Sequence, residues 1–132
     1  MHIQLLNNKA ISIKLSKSIK KIAGRIFDLN FFIDYDKQDL SIFKVTFKLS
    51  LVNPQKYHLY VEYVSIFKCS ESITDEFRNS HFPHVNAPAI SYPFLRTFVS
   101  FLSLNCGYDS ILLPTINFTE FKNKPANSQL KK

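Results

Sequence analysis

The residues able to do chemistry are few, and their spacing suits none. Four histidines, His2, His58, His81 and His84, include one close pair across Pro83. No carboxylate or cysteine stands at metal-ligand spacing from them, so they read as loop and surface histidines. Cys69 and Cys106 lie far apart and in no CxxC arrangement. That signals neither a disulfide framework nor a zinc site, and both read as small apolar residues. The two glycines, Gly24 and Gly107, cannot build the glycine-rich loop that cradles a phosphate. No nucleophile elbow or paired-carboxylate motif is present. The expectation is a protein with no metal, no cofactor and no enzymatic activity.

What the chain has instead is phenylalanine. Its 132 residues include 13 Phe and no Trp, and 45% are hydrophobic, which places it among chains that fold rather than among disordered ones. The length suits one domain with a real core. No apolar run approaches the ~18 residues of a membrane span, and the start, MHIQLLNNK, lacks the features of a secretory signal. A cytoplasmic location is expected. Seventeen Lys+Arg against ten Asp+Glu give a net charge of +7, which steers acidic partners toward the chain.

The elements that would position these aromatics are strands followed by a helix. In residues 25–35, Phe27, Leu29, Phe31, Ile33 and Tyr35 alternate with Ile26, Asp28, Asn30, Phe32 and Asp34, the pattern of a half-buried strand. Asp36-Lys37-Gln38-Asp39 turns the chain. Residues 41–51 repeat the signal with Phe43, Val45, Phe47, Leu49 and Leu51 on one face, and Asn53-Pro54 makes a second turn. Residues 57–68 form a third strand, and because Tyr60, Val64 and Ile66 make its second face apolar too, it needs cover on both sides.

Residues 11–15 alternate like a first strand. Ile11, Leu15, Ile19 and Ile22 also fit a helical stripe, with Lys14, Lys17, Lys20 and Lys21 off it. The β-branched alternation favours a strand followed by a lysine-rich connection over a basic amphipathic helix. Short turns between consecutive strands mean an antiparallel meander. The fold class is therefore α+β: a four-stranded antiparallel meander, a crossover at 69–85, one long helix packed on the sheet, and a short C-terminal segment. Residues 1–122 form one domain, and 123–132 form a polar tail in which Pro125 leaves no room for a long helix.

The helix lies within VNAPAISYPFLRTFVSFLSLNCGYDSILLPTINF, residues 85–118. Asn86 is a suitable N-cap and Pro88 a suitable first-turn residue, whereas Pro93 predicts either a kink or a helix that starts there. At 100° per residue, Phe101, Phe94, Phe98, Leu102, Leu95 and Val99 spread over an arc of roughly 160°, wider than one core contact requires. Gly107 supplies the left-handed position that ends the helix.

The run NAPAxxxPFxRxFxSxL, then a glycine, then LLPTINF, resembles the signature of the SecB family, tetrameric chaperones of bacterial protein export. The matching residues are Asn86, Pro88, Pro93, Phe94, Arg96, Leu113, Pro114, Asn117 and Phe118. Val61 to Phe67 resembles a second family segment, with Ser65 where glycine is usual. The resemblance covers about the second half of the chain. It implies a nucleotide-independent chaperone that binds unfolded or precursor polypeptides for the Sec pathway, or a SecB-like chaperone devoted to an antitoxin of a toxin–antitoxin system.

The resemblance also implies a homotetramer built as a dimer of dimers, its helices between two sheets. Phe94, Phe98, Phe101 and Leu102 are the expected oligomer interface. Phe67, Leu113, Phe118 and Phe121 match family motifs for the peptide-binding groove, and strand pattern adds Phe43, Phe47 and Tyr63. Family members hand clients to the SecA motor through an acidic sheet face that meets a basic tail. Here Tyr60 stands where a key glutamate is usual, His58 lies nearby, and Glu62, two residues on along the same face, is a partial substitute. A chain at +7 repels a basic tail within a Debye length of about 8 Å, so weak or no SecA binding is expected. A basic nucleic-acid-binding domain is the other class consistent with charge and aromatics. The strands precede the single helix rather than alternating with helices, and no basic-aromatic motif is present, so nucleic acid is not the expected partner.

Overall fold

The structure, a computed structural model, describes residues 1–17, 26–55 and 57–123. Four strands, β1 (Ile3–Lys17), β2 (Ile26–Tyr35), β3 (Ile42–Asn53) and β4 (Tyr57–Cys69), form one antiparallel sheet. The alternation in β2 and β3 sets the register: Phe31 faces Phe47, Phe47 faces Tyr63, and Phe43 faces Phe67. One sheet face thereby collects Phe43, Val45, Phe47, Leu49, Leu51, Leu59 and Val61, all fully buried.

The sheet order is β1-β4-β3-β2, so only the last three strands make a meander. A full meander would put β1 beside β2 and leave β4 at an edge. Apolar residues on both faces of β4 fit an inner strand, and β1 supplies its second neighbour. Residues 18–25 are long enough to span the three inter-strand spacings involved, about 14 Å. β1 runs straight through the residues that also fitted a helical stripe, as far as Lys17. Ile19, Lys20, Lys21, Ile22 and Gly24 lie outside the described residues. Register shifts beside Leu6 and Ile11 give β1 two bulges. Ser65 is fully buried, and its hydroxyl donates to Asn8 Oδ1 at 2.5 Å, which satisfies a polar group that the usual glycine would not bring.

After β4 the chain makes a short helix, α1 (Asp75–Arg78), capped by Thr74 Oγ1 accepting from Phe77 N. A wide turn over Phe82–Asn86 then runs directly into the long helix α2 (Ala87–Asn105). Asn86 is therefore not an N-cap. It has helical dihedrals and makes no side-chain capping bond, because the coiled chain before it already offers carbonyls such as that of Phe82, which accepts from Ala87 N. Nor does Pro93 begin the helix. The bond it removes would have gone to Ala89, and both residues are exposed, so water can serve that carbonyl.

Gly107, at φ 96°, ends α2 as expected. Tyr108 N donates to Ser103 O and Gly107 N to Leu104 O, the two bonds of a Schellman motif. The chain then returns along the helix. Arg96 Nε donates to Leu113 O at 3.1 Å, Tyr92 Oη donates to Pro114 O at 2.6 Å, and Ser103 Oγ accepts from Ile111 N at 2.9 Å. With its carbonyls held this way, the strip buries Ile111, Leu113 and Phe118 between α2 and the sheet. Residues 124–132, and with them the expected break at Pro125, lie outside the described residues.

Candidate functional site

β2 is an edge strand, paired with β3 alone. Beside it an open groove of about 500 Å³ runs between the strand, the α1 region and the segment reaching Asn123. Its floor is aromatic: Phe31 and Phe121 stack with centroids 5.7 Å apart, and both rings also meet Phe118. Phe31 N donates to Asn123 Oδ1 at 2.8 Å, so the amides of this strand face alternately outward at the groove. An extended chain laid here could pair with the strand edge and seat alternate side chains among the rings.

The far end of the groove is cationic. The Arg78 guanidinium lies 4.3 Å from the centroid of the Tyr35 ring, and His84 Nε2 donates to the Arg78 carbonyl at 2.7 Å, since a carbonyl can only accept. Burial raises the Tyr35 phenol above its ordinary range, partly offset by the neighbouring Arg78 charge.

The expected lining residues occupy three depths. Phe43, Phe47, Phe67 and Leu113 are core: Phe43 and Phe67 stack at 5.0 Å beneath Phe77 and Phe82 of the crossover, and Phe47 packs on Tyr92 and Phe118. Tyr63 and Phe118 are buried as well, Tyr63 against Phe98 of α2 at 5.3 Å. Among the expected residues Phe121 alone lines the groove. The other lining residues, notably Phe31, Tyr35, Arg78 and His84, were not singled out from the sequence. Phe31 and Tyr35 carried the right signal, since they share the apolar face of an edge strand. Arg78 and His84 carried none, because only the path of the crossover brings them there.

The outer face of α2 divides the expected interface. Phe98 and Leu102 pack against the chain's own core, whereas Phe101 is 62% exposed and Phe94 46%. Ile90 and Leu104 join the exposed side, and Leu112 of the return strip rims a shallow pocket there with Pro93 and Phe101. On the uncovered sheet face, Tyr60 Oη donates to Glu62 Oε2 at 2.6 Å, and burial together with that bond pushes the phenol up to about 12. Lys14 and His58 share a hollow with this pair, and Asp28 and Asp34 line neighbouring hollows of the same face. Among the described residues no three or more His, Cys, Asp or Glu could hold a metal ion, and no helix is long and apolar enough to cross a membrane.

The sequence profile of the SecB family, preprotein translocase subunit SecB, matches residues 7–128. The chain belongs to the SecB family. Its fold agrees with a SecB-like chaperone of Mycobacterium tuberculosis solved with a ChAD peptide from the HigA1 antitoxin: TM-score 0.68 and 15% identity over 86% of this chain and 87% of that one. A protein of unknown function from Streptococcus agalactiae is also similar in fold, at TM-score 0.52 and 9% identity over 87% and 98% of the two chains. Comparison with curated protein sequences gives no match. Membership in the SecB family makes the chain a chaperone whose ligands are polypeptides, which suits a site with an aromatic floor and an open strand edge.

Proposed function

We propose that this SecB-family chaperone holds extended, non-native polypeptides in the groove along β2 without nucleotide, and keeps precursors unfolded for export from the cytoplasm through the Sec pathway. The observation that carries the reading is the groove itself, where the Phe31–Phe121 floor lies beside outward-facing strand amides. Phe121 and Asn123 occupy that position as a client would, one by its ring and the other by its side-chain carbonyl. Phe118 and Tyr63 lie one layer below, and displacement of the return strip would bring Phe43, Phe47, Phe67 and Leu113 within a client's reach. Affinity then comes from several grooves on one oligomer. The assembly is a dimer of dimers joined through Phe94 and Phe101, with Phe98 and Leu102 backing them from the core side.

The test is suppression of aggregation. A chemically unfolded precursor diluted into buffer should stay soluble with stoichiometric chaperone and no nucleotide, and Phe31→Leu, which keeps this largely buried position apolar, should weaken the effect. Unchanged suppression by that variant would remove the groove from the mechanism.

A second reading, a chaperone devoted to an antitoxin, is favoured by the likeness to the M. tuberculosis chaperone solved with an antitoxin peptide. An antitoxin segment would use the same groove. An antitoxin reading frame beside its gene, whose product is soluble only when co-expressed with the chaperone, would decide for it.

A further inference from the structure

The groove has a polarity that its aromatic floor does not explain. Among the described residues Arg78 makes no ion pair and no carboxylate lines the groove. Its nearest acids in sequence, Asp75 and Glu76, sit in the first turn of α1, where they complement the helix amides. The guanidinium is nevertheless held against the Tyr35 ring, 4.3 Å from its centroid, and the turn that carries it is pinned by His84 Nε2 donating to the Arg78 carbonyl. The Tyr35 hydroxyl at the same end is buried with no hydrogen-bond partner among the described residues. A cation and a donor, both positioned and both without an acceptor among the described residues, define one end of a groove whose other end is apolar.

We infer that this groove selects clients by a two-point pattern: an aromatic or large apolar residue over Phe31, and a carboxylate that Arg78 receives beside Tyr35. The inference rests on the client-binding reading above and adds the chemistry of the client. Phe31 and Tyr35 stand four residues apart on one face of β2, about 13 Å along the strand. A client added as an extended chain also presents every second side chain to that face, so carboxylate and anchor must be four residues apart. In an antiparallel client the acid precedes the anchor. A separation of three would turn the acid to the opposite face.

The test compares fluorescein-labelled extended peptides that share one phenylalanine anchor and differ in an acid four residues before it, an acid three residues before it, or a glutamine four before it. By anisotropy at physiological salt, the first should bind about fivefold more tightly than the other two, the range of a part-exposed charge-assisted contact. Arg78→Gln should erase that difference and leave the glutamine peptide unchanged, while Arg78→Lys should restore part of it. Lys14→Gln, on the other sheet face, should leave the preference intact, which separates Arg78 from the general attraction of a +7 chain. Equal affinities for the three peptides, or a preference that survives Arg78→Gln, would overturn the inference and leave the groove as the client site. Failure of every peptide to bind would overturn both.

Discussion

Phe101 gives the sharpest test of how this chain assembles. It is 62% exposed on α2 and takes no part in the protomer's core, although its neighbours Leu95 and Val99 are fully buried. A buried phenylalanine covers roughly 200 Å², so a partner has about 120 Å² of this side chain left to cover, worth about 3 kcal/mol at ~25 cal/mol/Å². In a two-fold interface the substitution acts twice, and the ceiling of about 6 kcal/mol is lowered because ordering the interface also costs free energy. Phe101→Asp should therefore weaken association by about a hundredfold or more, and it adds a desolvated charge in the same direction. Light scattering at micromolar concentration should give the wild type four times the 15.3 kDa chain mass and the variant half of that. Their Tm values as dilute protomers should agree, because a surface change away from the core stays within about 0.5 kcal/mol. A wild type of 15.3 kDa, or a variant of unaltered mass, would refute the reasoning.

Other expectations follow from single positions. Leu95→Ala, in contrast, should cost about 2–5 kcal/mol in urea unfolding, since it opens a cavity under α2; a loss below 1 kcal/mol would mean that the helix is loosely seated. Gly107→Ala should cost about 1–2 kcal/mol through its positive φ alone, because nothing stands within 4 Å of the added methyl group; no loss would show that the cap can rearrange. Burial raises the Tyr92 phenol from 10.0 to about 12. Its contribution to stability is thus complete below pH 10 and lost as the pH rises toward 12, and Tyr92→Phe should make the alkaline fall in urea midpoint shallower than in wild type. A SecA tail peptide should bind weakly or not at all by calorimetry at low salt; tight binding abolished by Glu62→Gln would restore an ordinary acidic contact despite the Tyr60 bond.

Alternation exposed the strands and their buried faces because the side-chain period of a strand is strictly local. Strand order is not, so β1 could be read as a strand without showing that it crosses to β4. The same limit governs depth. Phe43 and Phe121 are alike as letters, yet one lies under two rings of the crossover and the other lines the groove, a difference made by residues more than thirty positions from Phe43. Asn86 misled for a related reason: its capping chemistry is real, but a wide turn beginning at Phe82 had already supplied the acceptors.

Polar contacts made within the stretch that carries the family resemblance hold the scaffold. Arg96 holds the Leu113 carbonyl, Tyr92 beside Pro93 holds that of Pro114, and Asn117 Oδ1 accepts from Thr119 N to turn the chain toward Phe121. Together they fix the return strip on α2 and so place one wall of the groove. The groups that would discriminate among clients, Arg78 and His84, lie in the crossover outside that signature. The crossover is tied to the sheet by Phe77 and Phe82 against Phe43 and to the β2–β3 turn by Ile73 N donating to Leu40 O, so its surface residues can change without disturbing the strip that the signature secures. Within this fold, client preference can therefore shift while the holding mechanism stays the same, and an acid-seeking groove on a basic chain is one such shift.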